Sequence, residues 1–107
     1  MTSLRLIPGH TIASEARGGA SDGVAEISWV DGEGAALPCG FGRWHEAACE
    51  PKTLAYDEII LVLEGVFGVE TGDGERVEGG PGDVIEIRKG TTVRYFGRQA
   101  RLFFVTN

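Results

Sequence analysis

Tyr56, Asp57 and Glu58 stand side by side at the head of the longest apolar run in the chain, which continues through Ile59, Ile60, Leu61, Val62 and Leu63 to Glu64 and Gly65. A carboxylate next to a phenol is a pair that can give and take a proton, so this is the first place to look for chemistry. The run at 58–63 is short and rich in branched residues, which suits a buried strand better than a helix. Side chains alternate across a strand. Tyr56, Glu58, Ile60 and Val62 therefore share one face, and Asp57, Ile59, Leu61 and Leu63 share the other. Beyond the polar end both faces are apolar, so both are expected to be covered, as in the middle of a sandwich or barrel.

The elements around this strand are short and separated by turn residues. Residues 4–7 read as a short edge strand before Pro8-Gly9, and residues 14–23 as a polar, Gly-rich loop. Residues 24–30 alternate as a strand and lead into Asp31-Gly32, a pair suited to a hairpin. Residues 37–44 read as another strand, and residues 45–51 as a loop with room for a short helical turn. Residues 66–71 continue the central strand past Gly65, and Gly72-Asp73-Gly74 makes a second hairpin. Residues 76–78 return, and Gly79-Gly80-Pro81-Gly82 forms a corner. Residues 84–88, 92–96 and 101–106 read as three more strands, with Lys89-Gly90 and Gly97-Arg98 as turns. Eight or nine such strands, with no long helical pattern, predict an all-β sandwich or barrel. The division expected is an N-terminal edge segment and loop at 1–23 and a barrel at 24–107.

Composition narrows the partners. The chain has 107 residues, enough for one core, and its 17 glycines are scattered among turns. Its net charge of −6 gives no basic face for nucleic acid and argues against anionic membranes. No stretch approaches the roughly 20 apolar residues needed to span a bilayer. The start has no signal-peptide pattern, so a cytoplasmic protein is expected. Cys39 and Cys49 match no zinc spacing and read as free thiols.

The second half also resembles a known family. Residues 58–65, then Gly82-Asp83-Val84, Lys89-Gly90 and a terminal aromatic strand, are similar to the two signature motifs of the cupin superfamily. Within it, Tyr56-Asp57-Glu58-Ile59, Val62-Leu63-Glu64-Gly65, Gly82-Asp83-Val84 and the run from Arg88 through Lys89, Gly90 and Thr91 to Thr92 resemble the cupin domain of the ethanolamine utilization EutQ family. The resemblance covers about residues 40–107. It implies a double-stranded β-helix, that is, a cupin jelly-roll barrel, which in this superfamily is usually a homodimer. It also implies a link to ethanolamine catabolism and, through that family, acetate kinase activity. Nothing in this sequence matches the N-terminal half of EutQ.

The resemblance places Glu58 at the glutamate position of the usual cupin metal site. The histidine positions before it fall among Pro51, Lys52, Thr53 and Leu54, and the third falls at Val93. Arg88 stands where many cupins have proline. A tight transition-metal site needs about three good ligands, so none is expected. A weakly held Mg²⁺ could still use one carboxylate and substrate phosphates.

On that alignment Glu58 and Tyr56 face the barrel interior as a polar pair. Burial would raise the carboxylate pKa and a donating phenol would lower it again. The two are the candidate catalytic residues; the bland alternative is a buried carboxylate satisfied by the phenol and backbone. Tyr95 shares a face with Val93 and should join them. Lys52 and His45 are expected near the mouth, where either could contact a small anion. Arg88 either pairs with Glu86 on a solvated face or grips an anionic ligand at the rim. Asp57 points away and should pair with a cation on a neighbouring strand or subunit. Trp29, Trp44, Phe67, Phe96, Phe103 and Phe104 read as core or dimer interface. The expected function is a metal-free cupin binding a small polar or anionic ligand. Two rivals are a non-enzymatic binding module and a metal-independent isomerase or lyase with Glu58 as base and Tyr56 as acid.

Overall fold

The structure is a computed structural model and describes residues 4–16, 24–30 and 35–107. Among them are nine strands and one 3-10 turn, Gly9–Thr11: β1 (Glu15–Ala16), β2 (Val24–Trp29), β3 (Cys39–His45), β4 (Ala47–Ala48), β5 (Lys52–Thr53), β6 (Glu58–Thr71), β7 (Arg76–Gly79), β8 (Val84–Ile87) and β9 (Thr92–Thr106). All pair antiparallel, and β6 against β9 forms the longest ladder. No helix among the described residues is long and apolar enough to cross a membrane.

Two long bent strands make one continuous sheet fold back on itself. The first half of β6 pairs with β8 and with the second half of β9, which also pairs with β3. The second half of β6 pairs with β7 and with the first half of β9, which also pairs with β4 and β5. The result is a jelly-roll barrel of the cupin type, as the alternating pattern and the motif resemblance imply. Its core is drawn from both layers: Trp44, Ile60, Val62, Leu102 and Phe104 meet Phe67, Val69, Val93, Tyr95 and Leu54.

The bend explains one departure from the sequence reading. Residues 92–106 form one strand, not two separated by a turn at Gly97-Arg98. Gly97 and Arg98 stay in the ladder, opposite Phe67 and Val66. The chain changes direction instead through register shifts around Glu64, where Gly65 (φ 69°) faces the carbonyl of Gln99 (φ 47°). A bulge bends a strand while keeping most of its hydrogen bonds, which a turn would give up.

Three other expectations change. Residues 4–7 form no strand; Leu4 and Leu6 are exposed, and β1 is instead the strand that pairs with the edge of β2. Residues 45–51 hold no helical turn, because Glu46 takes a left-handed backbone (φ 49°) and Ala47–Ala48 join β9. The outer face of β6 is only partly covered, with Ile59 40% exposed and Leu61 and Leu63 half-buried. The expected Asp31-Gly32 hairpin lies outside the described residues. At the other hairpin, the Thr71 hydroxyl and the Glu75 amide donate to Asp73 and hold its carboxyl below the usual value.

On the outside of β6, Gly68 leaves room for the Phe96 ring, and the Arg76 guanidinium stacks over that ring at 3.9 Å from its centre. Gly65 is tighter still. Any β-carbon there would overlap the Gln99 carbonyl, whereas Gly90 (φ 91°) has open space around it. Gly90→Ala should cost about 1 kcal/mol for its left-handed backbone. Gly65→Ala should cost about 3 kcal/mol or more, because overlap adds to the same penalty. Urea unfolding midpoints compare the two, and equal costs would show that the bend is not the tight point.

Candidate functional site

Between the layers lies a cavity of about 270 Å³. Its walls are apolar and aromatic, from Trp29, Trp44, Phe67, Phe104, Ile60 and Leu102. Its polar groups are Glu58, Tyr95, Tyr56 and Lys52, with Glu15 at one edge.

Glu58 opens β6 and points inward with Ile60 and Val62, as strand alternation requires. It is 7% exposed. A carboxylate that deep must be hydrogen-bonded. The hydroxyl of Tyr95 donates to Glu58 Oε1 at 2.6 Å, a bond that crosses the lumen from the first half of β9 to the first half of β6. Tyr95 is held by its neighbours, stacking on Phe67 at 5.8 Å and meeting Trp44 edge-on at 6.0 Å. The strand phase of Val93 and Tyr95 predicts this placement. The donor expected from Tyr56 comes instead from Tyr95.

Tyr56 takes a different partner. Lys52 Nζ donates to its hydroxyl at 2.8 Å and lies 5.3 Å from its ring centre. The two are half-buried, at residues where β5 gives way to β6. The phenol is thus an acceptor toward Lys52, and its own proton and the other Lys52 protons meet no acceptor among the described residues. Beside a cavity, that leaves hydrogen-bond donors free for an acceptor-rich guest.

The remaining candidates sit elsewhere. Arg88 lies outside the cavity, largely exposed, with its Nε 3.5 Å from Glu86 Oε1. His45 ends β3 and lines a separate depression with Arg43, Glu64, Gln99 and Arg101. His45 points to the outer face of β3, and Arg88, just past the end of β8, makes the solvated pair with Glu86 that is one of the two roles expected of it. Asp57 also points outward, but its partners are the Lys89 amide at 2.7 Å and the Asn107 side chain, not a cationic side chain. Glu15 is the cavity group that sequence reading misses. It belongs to a two-residue strand inside a polar stretch, where no periodicity marks a face. Of the aromatic residues assigned to the core, Trp29, Trp44, Phe67 and Phe104 also wall the cavity.

The sequence model described as "Ethanolamine utilisation protein EutQ" matches residues 18–107. The chain belongs to the EutQ family. It is 40% identical over 63 residues to Acetate kinase EutQ of Salmonella typhimurium, a match that covers 59% of this chain and 27% of that protein. A crystal structure of a putative ethanolamine utilization protein Q from Salmonella typhimurium superposes with a TM-score of 0.79 at 29% identity, covering 96% of this chain and 85% of that one. The Clostridium difficile EutQ structure gives 0.68 at 30% identity, covering 78% and 67%.

Within this EutQ barrel, the donor set does not suit the metal that many cupins hold. At the positions of the missing histidines, Leu54 and Val93 are buried apolar side chains and Lys52 carries an ammonium group bonded to Tyr56. No cluster of three His, Cys, Asp or Glu side chains exists among the described residues. Transition metals need such a cluster.

The two tyrosines should respond differently to loss of their hydroxyls. Tyr95→Phe takes a donor from a buried carboxylate and should cost about 1–3 kcal/mol. Tyr56→Phe, at a half-buried pair that water can reach, should cost less than about 1 kcal/mol. Chemical unfolding of both variants decides. A larger loss for Tyr56→Phe would put the structural bond at the wrong tyrosine.

Proposed function

We propose that this EutQ-family barrel binds a small anionic or polar ligand in the cavity beside Glu58. The observation that carries this reading is the Lys52–Tyr56 pair, which presents an ammonium group and a phenol to a cavity of about 270 Å³. That volume is just below the roughly 300–1,000 Å³ of sites for drug-sized ligands, so the guest is small. A carboxylate of acetate size satisfies the free donors, with its apolar part against Trp29 and Phe104. Glu58, held by Tyr95, is the acidic group of the same lining and orients the guest.

The name of the curated relative, Acetate kinase EutQ, extends this to phosphoryl transfer between ATP and acetate. In that case the cavity holds the acetate, the nucleotide lies at its mouth, and Mg²⁺ arrives with the nucleotide phosphates rather than in a protein cage.

The outer face favours a second copy of the chain as partner. Ile59, Val84 and Leu37, respectively 40%, 61% and 66% exposed, adjoin the half-buried Phe41, Phe103 and Val105. An apolar strip of this kind marks an interaction surface. Sedimentation should show twice the 11.4 kDa chain mass, and Ile59→Lys should return the single-chain species. A wild-type monomer at all concentrations would remove the dimer.

Calorimetry tests the ligand. Acetate or acetyl phosphate should bind, and Lys52→Met should weaken binding about tenfold or more, the value of one charge-assisted hydrogen bond. Absence of heat with either ligand would defeat the small-anion reading. Acetyl phosphate formed from Mg-ATP and acetate, and lost in a folded Glu58→Gln variant, would add the kinase activity. Ligand binding without that product would leave a binding module.

A further inference from the structure

We propose a second anion site, specific for a phosphate group, on the outer face of β3 and β9. Arg43 and Arg101 are directly opposite one another in the β3–β9 ladder. Like charges in that relation repel, and a sheet gains nothing from them unless something offsets the charge. The available carboxylates do this only in part. Glu64 lies opposite Arg101 but reaches no closer than 4.0 Å. Glu26 lies opposite Arg43, yet Arg43 has no ion pair among the described residues. In a chain of net charge −6, these two neighbouring guanidinium groups, one of them also 5.7 Å from the centre of the Phe41 ring, gather positive charge between Glu26 and Glu64.

The surroundings complete a receptor. Strand alternation puts His45 on the same face as Arg43 and Gln99 on the same face as Arg101. These four, with Glu64, line a depression of about 190 Å³. Both arginines also line an adjoining groove that contains Glu26 and reaches Ser14 and Ser28. The two non-glycine residues with left-handed backbone among the described residues, Glu46 and Gln99, adjoin this depression, one in sequence next to His45 and one in its wall. Strained backbone of this kind gathers where a fold holds groups for a ligand. Planar guanidinium forks match phosphate oxygens in pairs, and the imidazole and amide supply further donors. The sheet separates this site from the interior cavity, so its ligand is bound there and not consumed by chemistry at Glu58.

The test is a titration of the intact chain with inorganic phosphate and with ATP, followed by backbone amide shifts. Saturable changes are expected at residues 43, 45, 99 and 101, with a dissociation constant on the order of 1 mM for phosphate. Arg43→Gln and Arg101→Gln should each weaken binding about tenfold. ATP binding tighter than phosphate would assign the anion to a nucleotide, and equal affinity would assign it to the free ion. Changes confined to residues 52, 56 and 95 would overturn this site while supporting the interior one. Absence of saturation would also overturn it. So would an Arg43→Gln variant that changes the sedimentation of the protein, because the pair would then serve contact between copies.

Discussion

The fold depends on satisfying one carboxylate in an apolar interior. Glu58 lies at the start of β6, which pairs with β7, β8 and β9, and its inward direction follows from the phase that also buries Ile60 and Val62. Reversing that phase would put the apolar side chains outside, so the carboxyl group has to be accommodated where it is. The Tyr95 hydroxyl does so from the other layer, and the aromatic packing of Tyr95 with Phe67 and Trp44 fixes its ring. The same contact that offsets a burial cost therefore also ties the two layers together across the lumen. The bends at Gly65 and Gln99 make this geometry available, because they let β6 and β9 each serve both layers.

Much of this was legible in the sequence. Alternation through residues 58–63 and the turn residues around them define the central strand and its neighbours, and the phase from Val93 to Tyr95 points the second phenol inward. What sequence alone could not resolve was of two kinds. Gly97 looks like a turn, but long-range pairing between β6 and β9 keeps it in strand, and only the partner strand shows that. The identity of the donor to Glu58 was also ambiguous, because Tyr56 and Tyr95 share the inward direction. Proximity in sequence favours Tyr56, whereas in space Lys52 engages it. Glu15 carried no signal at all, since a two-residue strand has no period to read.

The barrel separates two kinds of surface by strand parity. Inward residues make an aromatic cavity with one held carboxylate and a pair of donors at its edge. Outward residues carry an apolar strip next to a ladder of opposed charges. His45, drawn from the sequence as a ligand group at the barrel mouth, falls on the outward parity of β3, whereas Arg88 makes the solvated pair with Glu86 that is one of the two roles expected of it. Where the cupin resemblance places metal-binding histidines, Leu54 and Val93 are buried apolar side chains. The Glu58 carboxyl group faces the Tyr95 phenol.

A crystal structure of the chain grown with acetyl phosphate addresses the central claim directly. The account requires the ligand's anionic end against Lys52 and Tyr56, inside the lumen, with the Tyr95–Glu58 bond still made. Density showing Glu58 turned to bulk water, or an ion gripped beside it by several side chains, would contradict it.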